Sequence, residues 1–290
     1  MFYIVIILRV IKALNMKQFK LIQKNHISIL LSLLLVACSS SPTGRSQLML
    51  VSPSQAIEAS KEAYIQTLKP LSDKGQIDNN PVLSKRVQLI TGRLISHAIQ
   101  QFPATKNWEW NVKVIDSPEI VNAWCMAGGK MAIYTGLLKI VNPTDDELAQ
   151  VMGHEISHAL ANHTAEKMSV AMATQLGMMA VAVSVKDSEN SQLAMSGAAV
   201  AAKLAVELPN SRVAEREADR MGIELAARAG YNPNAAASLW VKMAKASGKA
   251  PVEFLSTHPS SENRQQTLRQ LAVKIMPLYE QHKILPVYKF

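Results

Sequence analysis

Cysteine and N-terminal acidic charge are both scarce in this sequence. Only two of its 290 residues are cysteine, so a scaffold held by several disulfides is excluded and apolar burial must stabilise the fold. Residues 1–37 contain five basic residues and no acidic one, and they account for more than half of the formal net charge of +9. The remaining charge of +4 is dispersed along the chain, so we expect no nucleic-acid partner.

The acid-free start of the chain has the layout of an export signal. Basic residues precede an apolar run over residues 27–37, which is shorter than the roughly 20 residues that a membrane-spanning helix needs. The run ends in Leu-Val-Ala before Cys38, a lipobox-like ending that predicts cleavage before this cysteine and diacylation of its thiol. We expect a signal peptide over residues 1–37, with Met16 as the translation start, and a lipidated polar tether over residues 38–50. The alternative is an uncleaved membrane anchor that ends in an incidental cysteine.

Residues 51–290 are predicted to form one α+β domain, a mostly helical body with a small sheet. Capping boxes predict helices that begin after Ser52 and after Thr144. Strict alternation of apolar and polar residues over residues 108–116 predicts a half-buried strand. The glycine pair inside residues 122–135 predicts a hairpin of two short strands.

Residues 168–185 form an apolar stretch that is rich in alanine and methionine and could be mistaken for a membrane span. It contains four polar side chains and resembles a second stretch over residues 192–206. Small residues at this density suit close helix packing, so we expect two buried helices that pack against each other. An integral membrane protein that uses residues 168–185 as a span is the alternative.

The sequence HEISH, from His154 to His158, has the pattern HExxH inside a predicted helix. Residues four apart lie about 40° apart around a helix, so both imidazoles can bind one metal ion, while Glu155 is offset towards a water on that ion. A catalytic zinc needs a third protein ligand, and Glu215 in an ExxAD pattern is a candidate. Asp219 faces the same way and can accept a hydrogen bond from a ligand imidazole. A helix with two surface histidines and a solvated acidic helix are the structural alternatives.

HExxH followed about sixty residues later by ExxAD resembles the gluzincin metallopeptidases, a family that includes HtpX, the mitochondrial Oma proteases and the CAAX prenyl protease. Residues 122–138, 211–222 and 257–264 also resemble stretches of this family. The resemblance covers most of the chain between residues 47 and 270. It is strongest to periplasmic lipoprotein proteases of the LoiP type, and BepA is a longer relative with a C-terminal helical-repeat domain.

The resemblance implies the same assignment of the metal site as the spacing does. One zinc ion per chain would be bound by His154, His158 and Glu215. Glu155 would be the general base, and Asp219 would support a ligand imidazole. The implied activity is endoproteolysis, and the implied substrates are unfolded or misassembled proteins of the bacterial envelope. The alternative function is a chaperone-like or binding lipoprotein that holds zinc in a closed, inactive site.

The resemblance also implies a substrate-binding strand before the metal helix, over residues 130–135. As the edge of the sheet, this strand would bind an extended peptide by strand addition. The residues that would contact substrate are Asn122, Met131, Ala132, Ile133 and Tyr134. Cys125 lies near this cleft, and we expect it to be a small, buried apolar residue.

His258 is the remaining candidate for the site. It lies in a predicted loop, where a lone histidine is usually a surface residue. Members of the family carry a similar His-Pro loop near the active site, so the resemblance implies that His258 reaches the metal. Two roles stay open, a latch on the fourth metal position or a hydrogen-bond donor to the developing oxyanion.

Overall fold

The computed structural model of the chain describes residues 38–203, 206, 208–247, 252–258 and 263–290, so the predicted signal peptide lies outside the described residues. Helices predominate and the strands form two small sheets, which confirms the predicted α+β class. The strands are β1 (Cys38–Ser40), β2 (Ser46–Leu48), β3 (Asn111–Ile115), β4 (Ala123–Met126) and β5 (Lys130–Tyr134). The helices are α1 (Pro53–Asp73), α2 (Pro81–Gln101), α3 (Asp145–Leu160), α4 (His163–Val185), α5 (Ser191–Ala202), α6 (Leu208–Arg228), α7 (Ala235–Ala246), α8 (Glu253–Thr257) and α9 (Arg264–Glu280).

Three helices begin where the sequence places a capping residue. Ser52 accepts a hydrogen bond from the Gln55 amide, and the Gln55 side chain accepts one from the Ser52 amide, so a complete capping box starts α1. Thr144 and Glu147 form the same reciprocal pair at the start of α3. The Asn80 side chain caps α2. These bonds satisfy backbone donors that would otherwise have no partner in the first turn.

The three-stranded sheet has the order β3–β5–β4, which places β5 in the middle. β5 pairs in parallel with β3 and antiparallel with β4. Both sides of β5 are therefore already paired, and the prediction that residues 130–135 form the substrate-binding edge is wrong. Met131, Ala132 and Ile133 are fully buried in the core instead. β4 packs against α3, so an edge strand does border the metal-site helix.

The strand predicted over residues 108–116 is shorter, because a turn precedes it. The Trp108 amide donates to the Thr105 carbonyl at 3.0 Å, and the Trp110 indole donates to the same carbonyl at 2.9 Å. The two tryptophan rings contact each other, with centroids 5.0 Å apart. The Trp108 amide and the Trp110 indole are thus committed to the turn, and regular pairing begins only at Asn111.

Residues 38–50, predicted as a polar tether, are folded against the domain. β1 and β2 pair as an antiparallel hairpin. Arg45, between the two strands, forms ion pairs with Glu166 on α4 and Glu217 on α6. Gln47 is buried and donates a hydrogen bond to Glu166. The tether prediction is wrong for this segment, because its polar composition meets buried polar partners that lie far away in sequence.

The alanine- and methionine-rich stretch forms α4, which packs against α5 as predicted. The pair is not buried, however, and several large apolar side chains of α4 face solvent, namely Met172, Leu176, Met179 and Val183. Among the described residues, α4 is the one helix long and apolar enough to cross a membrane, with a mean hydropathy of 1.6 over a window that is 11% buried. Burial within the protein therefore does not account for this composition.

The helices α3 and α6 cross with their backbones in contact at two glycines. A Cβ atom on Gly222 would lie 2.8 Å from the backbone N and Cα of His154, and one on Gly153 would lie 2.9 Å from the Gly222 carbonyl oxygen. Nearly all of α3 is buried, and the main hydrophobic core surrounds it. The crossing therefore sets the distance between the HExxH and ExxAD patterns.

A methyl group at this crossing should be costly. We expect Gly222→Ala to lower the free energy of unfolding by about 1–3 kcal/mol, because the new Cβ meets backbone atoms and the helices must separate. Gly177→Ala is the matched control, since a Cβ at Gly177 in α4 would have nothing within 4 Å. This control should gain up to about 1 kcal/mol from helix propensity. Urea denaturation measures both, and equal effects would contradict the tight crossing.

Candidate metal centre

The three predicted ligands are brought together by α3 and α6. His154 Nε2 lies 3.0 Å from His158 Nε2 and 3.3 Å from Glu215 Oε2. His158 Nε2 lies 3.4 Å from Glu215 Oε1. The spacing of four residues turns both imidazoles to one face of α3, and the carboxylate of Glu215 approaches that face from α6.

His258 joins this group from the end of the short helix α8. Its Nδ1 lies 3.2 Å from His154 Nε2 and 3.1 Å from Glu215 Oε1. Phe254 stacks on the His258 ring with a centroid distance of 4.4 Å, and His258 is only 9% exposed. The histidine therefore lies at the predicted metal centre and not on the surface.

The four side chains form a donor set that suits zinc. One ligand atom from each of His154, His158, Glu215 and His258 lies within 4.8 Å of the others. Imidazole nitrogen and carboxylate oxygen are common zinc donors, and four of them can form a tetrahedral set. Several lone pairs face one another in this buried group, an arrangement that needs a shared proton or a cation to be favourable. The residues present therefore fit a zinc ion.

The surroundings hold two of the ligands in the forms that bind metal. Burial alone would raise the pKa of Glu215, but hydrogen bonds to His154 and His258, together with the charges of His154 and His158, outweigh burial and hold this pKa well below its usual value. Burial, assisted by the charge of His154, lowers the pKa of His158 well below its usual value. Metal ligands must be deprotonated, so a carboxylate and a neutral imidazole are the required species. His154 differs, because the carboxylates of Asp219 and Glu215 outweigh burial and raise its pKa to about 9, so this ligand must release a proton to bind a metal.

Glu155 lies beside the donor set without belonging to it. The residue is 2% exposed, and burial raises the pKa of its carboxyl group. Its Oε1 lies 3.4 Å from His258 Nε2 and has no hydrogen-bond partner within the described part of the chain. The backbone amide of Cys125 on β4 faces the same carboxylate. A buried carboxylate with a raised pKa and one free oxygen is suited to accept a proton.

Asp219 and Arg264 support two of the ligands. His154 Nδ1 lies 3.1 Å from Asp219 Oδ1, a contact at ion-pair distance that lacks the angle of a well-aligned hydrogen bond. Arg264 donates to Asp219 Oδ1 at 2.6 Å and lies 3.5 Å from Glu215 Oε2. Asp219 thus has the predicted position beside a ligand. The role of Arg264 was not predicted, although it lies in the stretch 257–264 that carries part of the resemblance.

Behind His158 lies a second polar group that the sequence patterns did not indicate. His163 Nδ1 lies 2.8 Å from His158 Nδ1, and His163 Nε2 lies 3.1 Å from Glu217 Oε2. Arg45 donates to the same oxygen of Glu217 at 2.8 Å. His163 is five residues from His158 and Glu217 lies inside ExxAD, so both adjoin a recognised motif. Arg45 is 172 residues from Glu217, and no local pattern connects the two.

The residues predicted to contact substrate do not line the cleft as a group. The three middle residues of β5 lie in the core, and Tyr134 packs with side chains of α1. Asn122 immediately precedes β4, and its amide lies 3.4 Å from Glu253 Oε2. Cys125 is 8% exposed and burial raises the pKa of its thiol, as expected for a small buried residue.

The chain is similar to proteases from both mitochondria and bacteria. It is 32% identical over 254 residues to Metalloendopeptidase OMA1, mitochondrial, of Bos taurus, covering 82% of this chain and 46% of that protein. Identity to the Mitochondrial metalloendopeptidase OMA1 of Arabidopsis thaliana is 38% over 165 residues, or 57% of this chain and 32% of that one. Identity to the Beta-barrel assembly-enhancing protease of Escherichia coli K12 is 27% over 222 residues, which cover 74% of this chain and 44% of that protein.

The family match extends over the whole metal centre. The chain spans between about a third and a half of the length of these relatives. The family model of Peptidase family M48 matches residues 81–272, a range that contains all four donors and Glu155. The chain therefore belongs to peptidase family M48, in agreement with the metallopeptidase resemblance of its two motifs.

Proposed function

We propose that this chain is a zinc-dependent endopeptidase of the bacterial cell envelope that cuts unfolded or misassembled proteins. The convergence of His154, His158, Glu215 and His258 within 4.8 Å, next to the buried Glu155, is the observation that carries the proposal. These four residues would hold a zinc ion, which would supply a Lewis acid to polarise a peptide carbonyl and lower the pKa of water. Relatives named metalloendopeptidases support the reaction type.

The side chains around the donor set then have separate tasks. Glu155 accepts the proton of the attacking water and later passes it to the leaving amine, and its raised pKa suits both transfers. Asp219 orients His154 from the side away from the donor set. Arg264 holds Asp219 and Glu215 in place through its two terminal guanidinium nitrogens.

β4 is the strand to which an extended substrate can add. The Tyr134 amide donates to the Asn122 carbonyl, and pairing with β5 alternates from there, so the backbone groups of Cys125 point away from β5. Across the described residues, no strand covers this side of β4. A peptide that adds here lies next to Glu155, which the Cys125 amide faces. Strand addition requires an extended backbone, which favours unfolded substrates.

The segment that carries His258 covers the start of this edge. The Phe254 amide, in α8, donates to the Val121 carbonyl at 3.1 Å, just before β4 begins. His258 supplies the fourth donor at the same time. Both contacts support a resting state in which His258 acts as a latch. They also favour the alternative function, a chaperone-like or binding lipoprotein whose zinc site stays closed.

We further propose that the protein faces the periplasm and is anchored through a lipid on Cys38, with the outer membrane as its location. The export signal and the lipobox-like ending before Cys38 support this proposal. Ser39, the residue after the lipidated cysteine, is compatible with outer-membrane sorting. The exposed apolar surface of α4 favours a second possible attachment to the same membrane.

Separate substitutions of two glutamates distinguish ligand from base. We expect Glu215→Gln to lower zinc occupancy, because it removes the anionic ligand. Glu155→Gln should keep zinc and lower digestion of unfolded casein by about a hundredfold or more, because no proton acceptor remains. Zinc content per chain and casein digestion, with and without a chelator, measure these effects. Equal zinc loss in both variants would contradict the division of roles, and a zinc-loaded parent chain that digests nothing would favour the closed binding protein.

Removal of the latch should open the site. We expect His258→Ala to retain zinc on three ligands and to raise basal casein digestion several-fold, because the fourth position and the edge of β4 become accessible. The exposed His282 provides the control variant His282→Ala, which should change neither value. A fall of roughly a hundredfold at unchanged zinc would identify His258 as an oxyanion donor instead. Unchanged digestion and zinc content would exclude both roles.

Membrane attachment is expected to depend on Cys38. Metabolic palmitate labelling of the exported chain should be abolished by Cys38→Ala. A chain with this substitution, exported by a cleavable signal without a lipobox, should be recovered in the soluble fraction without detergent. Recovery only with detergent would show that α4 is a second anchor, whereas an unlabelled parent chain would refute the lipid anchor.

A further inference from the structure

A row of buried polar contacts connects the β1–β2 hairpin to the metal centre. The two terminal nitrogens of Arg45 each lie 2.6 Å from an oxygen of Glu166, and its Nε lies 2.8 Å from Glu217 Oε2. Thr43 donates to the other oxygen of Glu217. The acid side chains are 6% and 3% exposed, so these contacts differ from surface ion pairs, which contribute little.

Glu217 is in turn connected to the ligand His158 through His163. The Nε2 atom of His163 lies 3.1 Å from Glu217 Oε2, and its Nδ1 atom lies 2.8 Å from His158 Nδ1. The two rings meet edge to face with centroids 4.9 Å apart. Both nitrogens of His163 are therefore committed, one to a carboxylate and one to a ligand imidazole.

When His158 binds a metal, only one placement of the protons gives every contact in this series a donor and an acceptor. His158 Nε2 faces the other donors and must offer its lone pair, so its Nδ1 carries the proton and donates to His163 Nδ1. His163 then carries its proton on Nε2 and donates to Glu217. Glu217 accepts, as a carboxylate must, and Arg45 donates to it from the far side.

We propose that Arg45, Glu217 and His163 are positioning residues of the metal centre, which together fix the tautomer and the ring orientation of His158. The proposal rests on the proposed function, because it requires His158 to be a metal ligand. It makes the hairpin that begins at Cys38, the expected lipidation site, a structural part of the metal centre. The segment that the sequence indicates as a tether is thus needed to hold the metal.

Arg45 is the critical member because it is shared by two buried carboxylates. Without the guanidinium, Glu166 and Glu217 would remain buried with no cation between them, which is strongly unfavourable. Glu217 would then turn away or change its hydrogen bonds, and His163 would lose its fixed acceptor. Partners behind a ligand imidazole typically change metal affinity by about 10- to 100-fold when they are removed.

The test compares the zinc affinity of variants of the purified full chain, measured by competition with a chromogenic chelator. We expect Arg45→Met and His163→Leu to weaken zinc binding by about 10- to 100-fold. His163→Gln should stay within a few-fold of the parent, because its amide can accept from His158 and donate to Glu217. The double variant Arg45→Met with His163→Leu should bind zinc scarcely more weakly than either single variant, because both substitutions interrupt the same series of hydrogen bonds.

Arg86→Met is the matched control for loss of an arginine ion pair. Arg86 binds Asp145 at 2.7 Å near the start of α3, on the exposed side and away from the donors, so zinc affinity should not change. The visible spectrum of the Co²⁺-loaded chain reports ligand geometry and should shift in His163→Leu but not in His163→Gln. If Arg45→Met fails to fold, the two His163 variants decide the question.

The possible outcomes separate this proposal from the proposed function. Parent-like zinc affinity and Co²⁺ spectra in folded Arg45→Met and His163→Leu would overturn the positioning role while the enzyme assignment stands. Equal weakening in His163→Gln and His163→Leu would show that packing matters and not the directed hydrogen bonds. Zinc binding that shows the expected pattern without casein digestion would refute the endopeptidase and leave the positioning role intact. A parent chain that does not bind zinc would refute both.

Discussion

The backbone contact between α3 and α6 is the constraint on which the metal centre depends. A Cβ at Gly222 would lie 2.8 Å from backbone atoms of His154, so only glycine allows the two helices to approach this closely. Each helix carries part of the donor set on the face turned towards the other. A side chain between them would separate Glu215 from the two imidazoles, although every ligand would still be present in the chain. Packing at this one point therefore converts two short motifs into a single site.

Buried charge at this crossing is stabilised by partners on several elements. Arg264 of α9 lies between Asp219 and Glu215, and Arg45 of the N-terminal hairpin lies between Glu166 and Glu217. A buried ion is unfavourable without hydrogen-bonded partners, so these arginines reduce the free-energy cost of burying the four carboxylates. Arginines from the N-terminal hairpin and from α9 thereby both contact carboxylates of α6, the helix that carries Glu215.

The sheet and α8 determine how the site is reached. Because β3 pairs on the outer side of β5, the only edge next to Glu155 within the described residues belongs to β4. α8 lies across the beginning of that edge and delivers His258 to the donors. In the proposed function, recognition of substrate and release of the resting state would therefore involve the same segment. Several large apolar side chains of α4 and α5 are exposed.

The sequence by itself determined the features that depend on near neighbours. Capping boxes and helical spacing identified most of the helices and the ligand pair on α3, and the glycine pair identified the hairpin of β4 and β5. Each of these features follows from residues within a few positions. The ExxAD motif indicated the roles of Glu215 and Asp219, and HExxH together with ExxAD indicated the family. Strand order, the burial of β5 and the folding of the N-terminal hairpin were decided only by the tertiary structure. These depend on contacts between residues such as Arg45 and Glu217, which are 172 positions apart, and no local pattern records which distant partner a side chain will meet.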